Sequence, residues 1–163
     1  MVDGSTPNPS RMTSPGYGFE NSTSRPGARF PWSRVEEALA GARNYWIGTV
    51  TPKGRPHAAP VWAIWLNGSV YFSTGKDSRK GRNLALNPHV TLHVETPDRS
   101  VVIVEGRAEE ISDEAKLSPV WDAYNRKYNW EVSGYPFYMV RPAVAFSFEE
   151  QLGETATRWT FAP

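Results

Sequence analysis

The sequence predicts a mainly β (α+β) domain: a mostly antiparallel barrel with helices at its ends. Three observations point there. Two turns have hairpin chemistry, Thr51-Pro52-Lys53-Gly54 and Asn67-Gly68; proline presets a first bend, and asparagine and glycine tolerate positive φ. Residues 101–111 put Val102, Val104, Gly106 and Ala108 on one face and Glu105, Arg107 and Glu109 on the other, the alternation of a strand with one wet face. Helical spacing is confined to short segments, so the order is helix, three strands, short helix, two strands, helix, two strands.

Each element has a local reason. Residues 1–29 are rich in Ser, Thr, Pro, Gly and Asn. They bury too little to offset their ordering entropy and read as a flexible arm before a domain over 30–163; an arm draped over a partner is the alternative. Ser33-Arg34-Val35-Glu36 has the pattern of a capping box. Val35, Ala38, Leu39 and Ala42 then share a helical face. Tyr45–Thr51 and Arg55–Leu66 form a hairpin, and Asn67-Gly68 pairs the second strand with 69–74. Asp77 or Ser78 caps a short helix that Asn87-Pro88 ends. Residues 89–95 and 101–111 are the next strands. Ser112–Lys127 is helical, with Pro119 expected in a first turn. An aromatic loop, Asn129–Pro136, precedes two closing strands, Ala143–Glu149 and Ala156–Phe161.

Composition narrows the function. The chain has 163 residues, a formal net charge of +1 and no cysteine. One domain with a sizeable core fits this length, with an apolar face left for a partner subunit. No global field favours nucleic acid. Disulfides, thiolate zinc sites and cysteine nucleophiles are excluded, and a reducing cytoplasm is the expected compartment. No apolar run is long enough to span a bilayer, and the polar, proline-rich start is not a secretory signal. Seven Trp and seven Tyr suit cores, interfaces or ring-binding pockets.

The chemistry concentrates in two places. Lys76, Arg79, Lys80 and Arg82 stand against one acid, Asp77, at a helix start. Unpaired backbone donors, the helix dipole and the hydroxyls of Ser73, Thr74 and Ser78 make a phosphate cradle. A solvated basic helix fits the same spacing. In Arg55–Leu66, Arg55, His57, Ala59 and Val61 share one face, and Pro56, Ala58, Pro60 and Trp62 the other. Small residues beside Pro60 leave room for a flat ring. Pro60 cannot donate to a ladder, so the strand is unpaired there or at an edge; an edge strand protected by proline is the plainer reading. His89 and His93 are four apart on a strand, roughly 13 Å, which disfavours a metal site. No nucleophile-elbow pattern supports a hydrolytic triad. Trp159 suits either core packing or a lid on a cofactor.

Taken in order, Gly54-Arg55-Pro56-His57, Pro60-Val61-Trp62, Val70-Tyr71-Phe72-Ser73-Thr74, Ser78-Arg79-Lys80-Gly81-Arg82-Asn83-Leu84 and Asn87-Pro88-His89-Val90 resemble the split-barrel flavin and deazaflavin oxidoreductases, the pyridoxamine 5′-phosphate oxidase-like superfamily. The resemblance covers residues 33–161. It implies a six- to seven-stranded antiparallel split β-barrel with flanking helices, of the FMN-binding type. It also implies a homodimer with cofactor in grooves between protomers. Ala59, Pro60, Val61 and Trp62 would contact the ring. Ser73, Thr74, Ser78, Lys80 and Asn83 would surround the phosphate, and Trp159 would approach from the partner chain. His57, placed to meet a ligand, and Arg79, in the basic cluster, are further cofactor-binding candidates.

The tail Arg158-Trp159-Thr160-Phe161-Ala162-Pro163 departs from the Arg-Leu-Ala-Pro-like ending of the true pyridoxamine phosphate oxidases. With Lys80-x-Arg82-Asn83-Leu84, it looks more like the actinobacterial branch that uses coenzyme F-420. The acidic tail of that cofactor would be drawn by Lys53, Arg55, Lys76 and Arg79. The expected activity is hydride transfer to an unsaturated or quinone-like small molecule, with no assigned catalytic side chain. Tyr128, Trp130, Tyr135 and Tyr138 are candidates to shape the substrate pocket. FMN is the alternative cofactor, and a non-catalytic flavin- or haem-binding protein the alternative from another class.

Overall fold

In the computed structural model, described over residues 6–12, 31–149 and 156–162, nine strands and three helices follow one another. They are β1 Asn8–Arg11, α1 Trp32–Gly41, β2 Tyr45–Val50, β3 Pro56–Val61, β4 Ala63–Leu66, β5 Ser69–Ser73, α2 Arg79–Leu86, β6 His89–Glu95, β7 Val101–Ile111, α3 Glu114–Tyr128, β8 Phe137–Phe148 and β9 Thr157–Thr160. All pairings are antiparallel. The seven strands expected from sequence are all present. The count rises to nine because residues 55–66 divide in two and residues 8–11, inside the expected arm, pair with β9. The rest of that arm lies outside the described residues, apart from 6, 7 and 12.

The sheet runs β1-β9-β8-β7-β6-β2-β3, with β5 joined to β8 and β4 to β5. β8 splits the barrel. Its first half, residues 137–140, pairs with β5, and residues 144–147 pair with β9. The changeover falls beside Pro142, where Ala143 is the extra residue of a bulge in β8 opposite Glu105 and Gly106 of β7. Proline fits there because it has no donor to contribute to a ladder. Gly106 fits because a Cβ would strike the Arg141 carbonyl. Sequence reading began this strand at Ala143, since Arg141-Pro142 looks like a breaker; the bulge absorbs it.

Two helix boundaries differ from expectation. α1 starts before Ser33, and Pro31 occupies its cap position without a side-chain bond. Trp32 supplies the reason. It packs on Trp65, Trp159 and Phe161 with ring centroids 5.2–6.2 Å apart, and this burial draws the first turn back. In α3, the Asp113 side chain caps Ala115 N–H at 3.0 Å. Pro119 therefore lies inside the helix rather than in its first turn.

The main core fills the barrel, with Tyr45, Ile47, Phe72, Leu92, Val102, Val104 and Val140 fully covered. A second cluster, containing Ile64, Leu117, Val120, Tyr124, Tyr128 and Phe137, lies under α3. Among the described residues no helix is long and apolar enough to cross a membrane.

Candidate functional site

Among the described residues β3 ends the sheet, so one of its edges is free of a neighbouring strand there. Thr51 N–H donates to Arg55 O at 2.9 Å, and Gly54 takes φ +76° to close the turn. Antiparallel pairs alternate along the ladder. Thr49–His57, Ile47–Ala59 and Tyr45–Val61 therefore exchange the inter-strand bonds, and Pro56, Ala58 and Pro60 turn their backbone polar groups outward. Neither proline has an N–H. This edge thus offers the Ala58 N–H between three carbonyls, with the low relief of alanine and proline. His57, Ala59 and Val61 face inward, with burial increasing toward Val61.

α2 follows β5 through a tight turn. Ser78 caps it, accepting from Gly81 N–H at 3.0 Å, and Thr74 and Ser78 hydroxyls lie 2.9 Å apart. A Cβ on Gly81 would run into the carbonyls of Gly75 and Lys76, so the turn and the helix close on each other there. The first turn carries Arg79, Lys80 and Arg82 and no acid. That charge opposes the helix dipole, which favours anions at this end. Arg82 is tied back to the Asp77 carbonyl. Lys76 pairs with Glu110 at 2.8 Å, an exposed bridge of little energetic weight. Arg79 and Lys80 have no ion pair among the described residues, and their backbone N–H groups precede the first intrahelical bond, Arg82 N–H to Ser78 O. Two cations and two backbone donors thus converge at one helix start.

A buried polar chain joins the two places. Asn83 Nδ2 donates to Thr49 Oγ1 at 2.9 Å, and Thr49 Oγ1 lies 3.4 Å from His57 Nδ1. Both Asn83 and Thr49 are 2% exposed. The structure therefore brings α2 against the β2–β3 hairpin, as a shared site requires.

Three expected contact residues are turned elsewhere. Asn83 faces Thr49 rather than the surface. Ser73 Oγ donates to Pro136 O at 2.8 Å. Trp159 is buried in its own barrel, with its indole N–H on Ser147 Oγ at 2.9 Å and its ring against Trp32. Of the two readings of this tryptophan, its contacts within the chain are those of core packing. Thr74 is largely buried beneath Ser78, while Arg79, Lys80, Ala58 and Pro60 keep exposed surface.

Sequence reading missed what lies at Trp62. Its ring stacks on Tyr128 at 4.7 Å and 3°, meets Trp130 edge-on at 6.4 Å and lies under the Arg43 guanidinium at 5.7 Å. Of the aromatics expected around a substrate, Trp130 and Tyr135 are more than half exposed. Tyr128 and Tyr138 are buried and serve the core instead. Burial raises both phenols. A cleft of about 410 Å³ lies elsewhere, between the β4–β5 turn and α3, lined by Asn67, Tyr71, Glu109, Lys116 and Arg141 among others. It contains none of the expected site residues.

Comparison with known proteins identifies the family and the fold. A family profile described as pyridoxamine 5′-phosphate oxidase matches residues 32–149. A curated pyridoxine/pyridoxamine 5′-phosphate oxidase from Bacteroides thetaiotaomicron is 39% identical over 83 residues, which are 50% of this chain and only 37% of that protein. A solved structure of a conserved hypothetical protein from Mycobacterium tuberculosis aligns at TM-score 0.67 and 19% identity, covering 75% of this chain and 86% of that one. One described as an F420 reductase aligns at TM-score 0.57 and 23% identity, covering 68% and 94%. At these identities the two structures show the shared fold.

Proposed function

Because the chain belongs to the pyridoxamine 5′-phosphate oxidase family, we propose that it is an oxidoreductase that seats a phosphate-bearing deazaflavin, coenzyme F-420, across β3 and the start of α2. The observation that carries this is the cationic first turn of α2, set against its own dipole and holding Arg79 and Lys80 without an ion pair among the described residues, tied through Thr49 to an edge strand. An arrangement that weakens the isolated fold makes sense where an anion completes it.

The residues present fit such a group. Lys80, Arg79 and their backbone N–H groups would hold the phosphate. The ring would lie along Ala58–Trp62, its polar edge meeting the Ala58 N–H and neighbouring carbonyls. The cofactor would supply the hydride chemistry. Exposed Trp130 beside Trp62, with exposed Tyr135 further along the same loop, would orient a flat, unsaturated or quinone-like substrate and exclude water.

A second copy of the chain belongs to this reading. Trp46, His93, Ile103 and Phe146 lie in register across four strands on the outer face. Trp46 is 47% exposed and stands opposite Pro60. A partner covering that row would close a groove beside the ring strand.

FMN is the second reading, favoured by the curated oxidase relative and served by the same cradle. Purification from a host lacking F-420 separates them: an FMN protein emerges yellow and a deazaflavin protein colourless. Titration with each cofactor then decides. Binding of neither would remove the oxidoreductase reading, and sedimentation would test the dimer.

A further inference from the structure

The seam between β3 and β4 is closed from α3. Ala63 N–H donates to the Tyr128 hydroxyl at 2.9 Å. Ala63 O lies 2.7 Å from the same hydroxyl and accepts from Lys127 Nζ at 3.0 Å. The Tyr128 hydroxyl also reaches Arg43 O at 2.8 Å. The Lys127 ammonium lies over the rings of Tyr45 and Tyr128 at 5.3 and 5.5 Å. Tyr45 belongs to the barrel core and Tyr128 to the cluster under α3, so the pair sits where the two cores meet.

Lys127 has no carboxylate partner among the described residues. The groups facing it are the Tyr45 phenol from β2 and the Tyr128 phenol from its own helix. Tyr124 stands behind Tyr128, at 4.7 Å, and the Arg43 guanidinium beyond Trp62. β4 presents only backbone. A half-buried lysine without an acid is costly to hold, and burial lowers its pKa to about 8. A surface lysine would avoid that cost. What this one gains is a charge-assisted bond to the first residue of β4 and contact with two aromatic faces.

We propose that Lys127 and Tyr128 are a positioning pair that fixes the point where β3 ends and β4 begins, and so holds Ala59–Trp62 as an open edge for the ring. The bonds to Ala63 anchor one side of the seam, and the Tyr128 stack fixes Trp62 itself. The part played by the ring rests on the function proposed above; the anchoring of the seam does not.

The test uses the full chain as wild type, Lys127→Met and Tyr128→Phe. Methionine fills the aromatic niche without charge or donor, and phenylalanine removes only the hydroxyl. Amide exchange is followed across residues 57–66 without cofactor, and affinity for F-420 and FMN is measured between about pH 7 and pH 9, where Lys127 discharges. The expected result is a cooperative melt retained in both variants, with exchange around Trp62–Ile64 about tenfold faster. Affinity in the variants falls about tenfold, as for loss of a charge-assisted bond. Wild-type affinity declines above about pH 8 as the ammonium is lost, and Lys127→Met shows no such decline. Exchange unchanged in both variants would overturn the anchoring. Faster exchange with wild-type affinity and pH profile would overturn the positioning role. If the wild type bound neither cofactor, the ring reading would fall, while the exchange result would still decide the anchoring.

Discussion

β3 and β4 are one uninterrupted run of sequence with opposite surroundings. Among the described residues β3 has a neighbour on one side only, and Pro56, Ala58 and Pro60 are exposed. β4, one residue later, pairs with β5, buries Ala63 and Ile64 and lies under α3. An open backbone edge is thus kept in register without a second neighbour strand. The edge is short, punctuated by prolines against unwanted pairing, and continued into a strand packed against α3.

The largest test of that contrast is Tyr128→Ala. It deletes a buried ring, the Trp62 stack and the bonds to Ala63, and should cost about 3–5 kcal/mol of stability by denaturant unfolding. A loss below 1 kcal/mol, the size of an ordinary surface change, would show that β4 does not depend on α3. Next is Lys80→Ala, expected to weaken cofactor binding by about 1.5–3 kcal/mol. Its stability should hold or rise by a few tenths, since a cation leaves the positive end of a helix. Unchanged affinity would assign Lys80 to solvent.

The pH dependence of Lys127 is smaller and its sign is definite. Its pKa in the fold is about 8, below the usual 10.5. Between those values the unfolded chain holds a proton that the folded chain has released, so this group's contribution to stability rises with pH. Below about pH 8 both states are charged and the burial penalty is complete. Urea unfolding of wild type and Lys127→Met at either end of that window should show the rise only in the wild type. Smallest is Ala58→Thr on the free edge. It should change stability by less than about 0.5 kcal/mol while crowding the ring. A loss as large as that of Tyr128→Ala would mean the edge is not free.

Much of this was legible in the sequence because it rests on local rules. Asn67-Gly68 and Thr51–Gly54 marked the turns, and alternation in 101–111 separated core from water. Pro60 marked an edge strand, and the order of the motifs pointed to the family. What was not legible depends on contacts far apart in the chain. Nothing between residues 55 and 66 reveals that Tyr128 and Lys127 end one strand and begin another. Pro142 looks like a breaker until the bulge at Ala143, opposite Glu105 and Gly106, absorbs it. Trp159 reads equally as lid or core until Trp32 packs on it. Asn83 matched a phosphate position, but its amide is used beneath the surface to tie α2 to Thr49.

The central claim is that the start of α2 and the free edge of β3 are one seat. Amide exchange of the full chain with and without saturating F-420, and again with FMN, tests it most directly. The expected result is new protection in residues 55–62 and 78–84 together, with β4 and α3 already slow to exchange and little changed. A cofactor that bound while protecting the cleft between the β4–β5 turn and α3, and left both segments unchanged, would contradict it.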